Sequence, residues 1–339
     1  MSKILWQTRK VPLSFGFMKQ TSKLFELVEA DIKSRRYGQQ PESLYEPIRY
    51  IMAIGGKRLR PMLVLLAYSL YKKDFKSVVR YATAVEAFHN FTLMHDDIMD
   101  KAPLRRGKPT VHKVWDVNTA ILSGDVMLIK VYDQFLDLPS SKLKEALKLL
   151  GKCAAEVCEG QQWDMEFEGR LTVSEQEYIS MIRQKTAVLL GFSLELGGLL
   201  AGAPARDRKY LREFGIQIGI GFQLRDDLLD VFADAKKFGK LAGGDIIANK
   251  KTFLLIKAIE HASGKDKSEL DRWLTTRRFN KREKVAAVTA LYEKLGIRKM
   301  TEKKIDQYFQ RGFGSLAKVR SKQRIVLGDF ASALIDRQV

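Results

Sequence analysis

The chain has 339 residues, 45% apolar and 29% charged, a balance that excludes an intrinsically disordered protein and allows a sizeable core. Its 24 glycines and 8 prolines exclude collagen-like and proline-rich low-complexity architectures. With 59 Lys and Arg against 40 Asp and Glu, the net charge of +19 points to anionic partners, whether phosphates, nucleic acid or a membrane surface.

The first residues, MSKILWQTRKVPLSFGF, lack the sustained apolar run of a signal peptide. From there the dominant period is helical. Leu24, Leu27, Val28 and Ile32 recur at three and four, as do Met62, Leu65, Leu66 and Leu70, and later Ile216, Ile220, Leu224 and Leu228. Gly, Pro or charge clusters interrupt this pattern at 37–41, 55–61, 103–109, 139–141, 202–204 and 238–244. No alternating strand with a hairpin turn is evident, so an all-α bundle of antiparallel helices is expected. Cys153 and Cys158 permit neither a disulfide framework nor a thiolate metal site and read as buried thiols. The most apolar segment, 187–203, is short for a membrane span and carries Glu195, so it reads as a core helix. The basic stretch 263–284 reads as a solvated connection with one short helix. A soluble, cytoplasmic protein is expected.

One pattern occurs twice. Asp96-Asp97-Ile98-Met99-Asp100 and Asp226-Asp227-Leu228-Leu229-Asp230 both read D-D-x-x-D, and both lie within apolar helical runs. Residues four apart share a helix face, so Asp96 pairs with Asp100, and Asp226 with Asp230. Like charges so placed cost about 0.2–0.5 kcal/mol per pair in water, and more when partly buried. Hard divalent cations would offset the repulsion, and Mg²⁺ commonly combines one or two carboxylates with phosphate oxygens. Two facing clusters would grip a diphosphate through such ions. A single copy would fit a solvated helix face equally well; two copies inside apolar runs argue against that reading.

Basic residues flank both clusters: Lys57, Arg58 and Arg60 after Gly55-Gly56, Arg105 and Arg106 before Gly107, and further on Lys185, Lys240 and Lys250. Guanidinium forks match phosphate oxygens, and glycines let a backbone approach them closely.

The blocks GGKRLRP, LMHDDIMDKAPLRRGKPTVH, RQKTAVLL, GFQLRDDLLDVFAD and FGKLAGGDIIANKKTF stand in this order. Together they closely resemble the trans-isoprenyl diphosphate synthases, or polyprenyl synthetases, of short-chain type. The resemblance implies one synthase domain over 1–339, a helical bundle around a central cavity, and a homodimer. It implies condensation of isopentenyl diphosphate with an allylic prenyl diphosphate, dependent on Mg²⁺. Asp96, Asp100 and Asp226 would ligate metal, with Asp97, Asp227 and Asp230 as supporting ligands. Arg105, Lys185, Thr186, Gln223 and Lys240 would surround the allylic substrate, the Lys185–Thr186 carbonyls and the Gln223 amide steadying a carbocation. Lys57, Arg60, His89 and Arg106 would bind isopentenyl diphosphate. In the family the residues just before the first cluster floor the product cavity. Phe91 and Thr92 there, with Phe88 one turn deeper, imply a C20 product first and C15 next.

No nucleic-acid partner is expected, and a membrane surface is a further candidate partner because such products are greasy. Three other readings compete. A terpene synthase lacks the second D-D-x-x-D and a second-substrate site. A metal phosphohydrolase would want more than four histidines (89, 95, 112 and 261). A basic helical binding module would not need paired carboxylates. A longer polyprenyl product also stays open.

Overall fold

The computed structural model describes residues 15–232 and 243–336. Helices dominate, as the 3.6-residue period predicts: α1 (Phe15–Ser34), α2 (Glu42–Ala53), α3 (Leu59–Ser69), α4 (Val79–Met99), α5 (Val111–Val114), α6 (Val117–Leu136), α7 (Ser140–Gly169) and α8 (Glu175–Ile182). A π-helical turn, Arg183–Ala187, joins α8 to α9 (Val188–Ala201). Then follow α10 (Ala205–Phe232), α11 (Gly244–Ala248), α12 (Phe253–His261), α13 (Gly264–Thr275), α14 (Lys281–Lys294), α15 (Ile297–Ala317) and α16 (Arg324–Asp336). The helices stop where the sequence supplies a reason. Gly202 takes the left-handed conformation (φ 77°) that ends α9, and Ser174 with Glu177 forms a capping box at the start of α8.

Two features depart from the sequence reading. Strands β1 (Leu104–Arg105) and β2 (Lys108–Pro109) form a small antiparallel hairpin. Its turn, Arg106-Gly107, has positive φ at both residues, as a type I′ turn requires, and the strands are too short to show any alternation. The stretch 263–284 is mostly two helices, α13 and the start of α14, rather than a solvated connection. Lys284 is buried there, a position a basic run does not betray.

The chain divides into two compact units, one from Met1–Gln134 with Ser321–Val339, the other from Phe135–Arg320. The first is organised on α4, whose residues Val79 to Phe91 are nearly all buried. Arg58 locks it, donating to Glu29 of α1 (2.6 Å), Glu86 of α4 (3.1 Å) and the Met52 carbonyl of α2 (2.8 Å). The second is organised on α10, which packs against α9 and α15. A Cβ on Gly215 would lie 2.7 Å from the Gly191 backbone nitrogen, so α9 and α10 meet backbone to backbone. Phe222–Phe309 and Phe214–Phe313 ring pairs, 5.7 and 5.9 Å between centroids, seal α10 to α15. Glu195, the lone acid of apolar α9, accepts from Arg212 at 3.1 Å. Of the two cysteines only Cys153 is buried; Cys158 is exposed on α7, because five residues is 140° away on a helix. No helix among the described residues is long and apolar enough to cross a membrane.

Candidate active site

In the first unit, α4 ends at Met99, so the first acidic cluster occupies its last turn and Asp100 is its C-cap. Acids at a helix C-terminus oppose the macrodipole, a second local cost beside their mutual repulsion. Asp97 is buried, Asp96 half-buried and Asp100 exposed. Asp97 accepts from Arg105 through both Nε and Nη2, at 2.6–2.9 Å, and the same Nη2 lies 3.5 Å from Asp96 Oδ2. Asp97 is thereby committed to Arg105; Asp96 lies half-buried beside the same guanidinium, and Asp100 is the exposed carboxylate.

Two turns earlier on α4, His89 is buried. Burial, reinforced by the charges of Arg60, Arg106, Arg105 and Arg58, holds its pKa well below the ordinary imidazole range. His89 is therefore neutral, and four guanidinium groups share its neighbourhood. Arg106, in left-handed conformation (φ 52°), donates to the Gly55 carbonyl, and its guanidinium lies so close to Gly56 that a Cβ there would meet it at 2.6 Å. The fold thus brings GGKRLRP and LRRGKP together. Lys57 and Arg106 are exposed and Arg60 half-buried; Arg58, in the same basic run, is turned inward as structure. Deeper on α4, Phe88 is fully buried. Phe91 contacts both Phe88 (5.8 Å) and the His95 ring (4.9 Å), and Thr92 Oγ1 donates to the His89 carbonyl at 2.8 Å.

In the second unit, Asp226 is exposed, Asp230 half-buried and Asp227 buried. Asp227 accepts from the Tyr178 hydroxyl and from Gln223 Nε2 (3.0 Å), and Gln223 Oε1 accepts from Thr186 Oγ1 at 3.2 Å. Thr186 and Lys185 sit in the π-helical turn, a feature frequent at functional sites. Gly160 of α7 makes room for it: a Cβ there would lie 2.2 Å from the Lys185 backbone nitrogen. Lys185 Nζ lies 2.6 Å from Asp164 Oδ2, and Lys250 Nζ lies 3.9 Å from the same oxygen. Asp230 Oδ2 accepts from the Asp245 backbone N–H at 2.9 Å. Lys240 lies outside the described residues.

Negative charge accumulates here. Burial, then the charge of Asp245, pushes Asp227 up to about 7. Burial pushes Asp245 up to about 6; Asp230 and Asp164 add to the rise and Lys250 opposes it. Carboxyls that ionise with such reluctance beside one another suit a hard divalent cation, and the donors are oxygens throughout. Among the described residues no three His, Cys, Asp or Glu converge closely enough to hold an ion by themselves. The residues fit a metal such as Mg²⁺, which retains water and takes phosphate oxygens to complete its shell.

Tyr178, Asp164 and Asp245 were not singled out from sequence. Asp164 had a signal, since it stands four residues after Gly160 and three before Phe167, both buried on α7. Asp245 was within a recognised block. Tyr178 offered none.

Comparison with known proteins decides the lineage. The polyprenyl synthetase family model matches residues 41–292. The chain belongs to the polyprenyl synthetase family. A short chain isoprenyl diphosphate synthase of Methanocaldococcus jannaschii is 41% identical over 246 residues, 72% of this chain and 74% of that protein. A solved geranylgeranyl pyrophosphate synthase superposes with a TM-score of 0.86 at 41% identity, covering 93% of this chain and 97% of its own. A Caulobacter crescentus polyprenyl synthase, solved with calcium and isoprenyl diphosphate, has a TM-score of 0.84 at 26% identity, covering 95% and 97%. Other relatives are named geranylgeranyl, geranylfarnesyl and farnesyl diphosphate synthases. The polyprenyl synthetase described here is therefore an enzyme of prenyl-chain elongation with the helical isoprenoid synthase fold, in a family that depends on divalent metal and acts on isoprenyl diphosphates.

Proposed function

We propose that this synthase joins isopentenyl diphosphate to an allylic prenyl diphosphate with Mg²⁺, giving geranylgeranyl diphosphate in preference to farnesyl diphosphate. One observation carries the reading. Helix α4 presents two carboxylates, Asp96 and Asp100, that want a cation, and two turns away a neutral His89 among arginines that want an anion. Prenyl transfer needs two diphosphates handled differently, one through metal and one directly by cations. A terpene synthase or a binding module needs no such pair.

Asp96, Asp100 and Asp226 would hold magnesium, with Asp97, Asp227 and Asp230 behind them. Bound magnesium supplies charge neutralisation for the departing diphosphate. Arg105 and Lys185, with Lys240 as the resemblance implies, would supply positive charge to the leaving diphosphate, and stabilising charge as it develops lowers the barrier. Thr186 and Gln223 place oxygen dipoles near the allylic carbocation. Lys57, Arg60 and Arg106 seat the diphosphate of isopentenyl diphosphate, and neutral His89 donates a hydrogen bond to it without adding charge. The isopentenyl double bond attacks the cation, and the proton then lost goes to the released pyrophosphate, so no side chain need act as base. Phe88, Phe91 and Thr92 close the end of the apolar tunnel that keeps water from the cation.

The 1–339 chain acts as one synthase domain in the cytoplasm. A homodimer is supported by α6, where Ile121, Leu122 and Ile129 stand exposed on one unit. The excess charge draws anionic substrates in and favours contact with a membrane surface that takes the product. Incubation with Mg²⁺, labelled isopentenyl diphosphate and the C5, C10 or C15 allylic diphosphate, followed by product sizing, tests the reading. Intact substrates in every arm would overturn it in favour of a non-catalytic binding module, and products beyond C20 would move it to a longer-chain synthase.

A further inference from the structure

The second unit holds a buried cation that the chemistry above does not use. Lys284, on the first turn of α14, is 1% exposed. Among the described residues no carboxylate forms an ion pair with it. Its ammonium donates to Asn249 Oδ1 at 2.6 Å, lies 3.5 Å from the Ile247 carbonyl and sits 4.2 Å from the centroid of the Phe279 ring. An ammonium removed from water with only neutral acceptors is costly, and a methionine of similar length would pack there without that penalty. The geometry it enforces is the reason to look further.

Asn249 terminates α11 in the left-handed conformation (φ 52°, ψ 35°). Its side chain is gripped at both ends: Oδ1 accepts from Lys284, and Nδ2 donates to the Leu274 carbonyl at 3.1 Å. The segment so clamped carries two residues of the acidic centre. Asp245, at the start of α11, donates its N–H to Asp230 and raises the pKa of Asp227. Lys250 follows Asn249 directly, donates its N–H to the Asp245 carbonyl at 2.9 Å and reaches towards Asp164. One cleft is lined by Asp245, Asn249, Lys250 and Lys284 together. Lys284 touches none of the acids itself. Any influence on them passes through Asn249.

We propose that Lys284 is a positioning residue: by fixing Asn249 it sets where Asp245 and Lys250 stand against Asp227 and Asp164, and so how tightly the second aspartate cluster takes magnesium and the allylic diphosphate. The inference rests on the function proposed above. Partners at this remove from a metal commonly change affinity or activity by about 10–100-fold when lost.

The test compares the full-length wild type with Lys284→Met, Asn249→Gly and Asn249→Asp. Asn249→Gly keeps the left-handed backbone and removes both side-chain bonds; Asn249→Asp keeps an acceptor for Lys284, gives up the bond to Leu274 and adds a negative charge that the Lys284 ammonium neutralises. Calorimetric titration with Mg²⁺ and an unreactive allylic diphosphate analogue is read beside steady-state kinetics. Lys284→Met and Asn249→Gly should weaken analogue binding and raise the allylic KM and the half-saturating Mg²⁺ by roughly tenfold. The KM for isopentenyl diphosphate should stay put, and Asn249→Asp should return the allylic values to near those of the wild type. Equal rises for both substrates, no change in either variant, or Asn249→Asp as impaired as Asn249→Gly would each overturn the proposal. Should Lys284→Met not fold, the two Asn249 variants decide alone. A wild type that turns over nothing overturns the functional reading and this inference with it. An active wild type with unaltered variants overturns the inference only.

Discussion

Arg105 closes a two-pronged contact on Asp97, with Nε and Nη2 both within 2.9 Å of the carboxylate oxygens, while Asp97 is 3% exposed in its side chain. The pair turns one of three clustered acids into a fixed base plate beneath Asp96. Removing one partner of a buried pair leaves the other charged and unsatisfied. Arg105→Gln should therefore cost about 3 kcal/mol of stability in urea unfolding, more than Asp97→Asn, which keeps one acceptor oxygen and leaves a guanidinium that water reaches (25% exposed), and should cost about 1–2 kcal/mol. Equal and small losses for both would mean the contact does not hold the end of α4.

Loss of Asp96 or Asp226 should act on turnover and not on folding. Asp226 is exposed, and Asp97 rather than Asp96 makes the short contacts to Arg105. Losing about 3–5 kcal/mol of charge stabilisation at the leaving group corresponds to roughly 10²–10⁴ in rate. Asp96→Ala and Asp226→Ala should each show that loss with an unaltered far-ultraviolet circular dichroism spectrum. EDTA should abolish wild-type turnover, and added Mg²⁺ should restore it. Full activity in either variant would remove that cluster from the reaction.

Much of this was readable before any coordinates. The spacing D-D-x-x-D, repeated within apolar 3.6-residue patterns, fixes which carboxylates share a helix face, and Gly202 and Pro139 mark helix ends by their backbone chemistry. What stayed hidden depends on folding. In Gly55–Pro61 three cations look alike in sequence, yet Arg58 is the one that is fully buried, paired with Glu29 and Glu86. Tyr178 meets Asp227 across 49 residues, and no local period announces that. Lys284 sits in a run whose charge suggests solvent, and its burial follows from how α14 packs beside α11.

His89 should mark the acid limb of stability. Its folded pKa is depressed, first by burial and then by the surrounding arginines. Below the unfolded value of about 6.5, the unfolded chain takes up a proton that the folded one refuses. Its share of stability is thus whole above about pH 6.5 and falls as pH drops towards the folded pKa, by up to about 1.4 kcal/mol per unit. His89→Gln, which cannot charge, should flatten the melting profile between pH 6.5 and 5. Carbon-labelled histidine spectra should show the His89 ring still neutral where an ordinary imidazole has become charged. A ring that titrates near 6.5 would contradict the cationic neighbourhood drawn around it.

Product length should answer to α4. Phe91 rests edge-on against His95 and leans on Phe88, so its ring is held from two sides and does not swing clear when a growing chain presses on it. On a helical wheel Phe88 and Thr92 lie nearer the Asp96 face than Phe91 does. Phe91→Ala should lengthen the product by at least one isoprene unit, at a stability cost of about 3 kcal/mol for a large-to-small change in a packed position. Thr92→Phe should shorten it, because a second ring would stand nearer the Asp96 face than Phe91 does. Chromatographic sizing of dephosphorylated products measures both. If Phe91→Ala leaves the length unchanged while Phe88→Ala extends it, the stop is Phe88, one turn deeper, and the Phe91 ring serves to brace it.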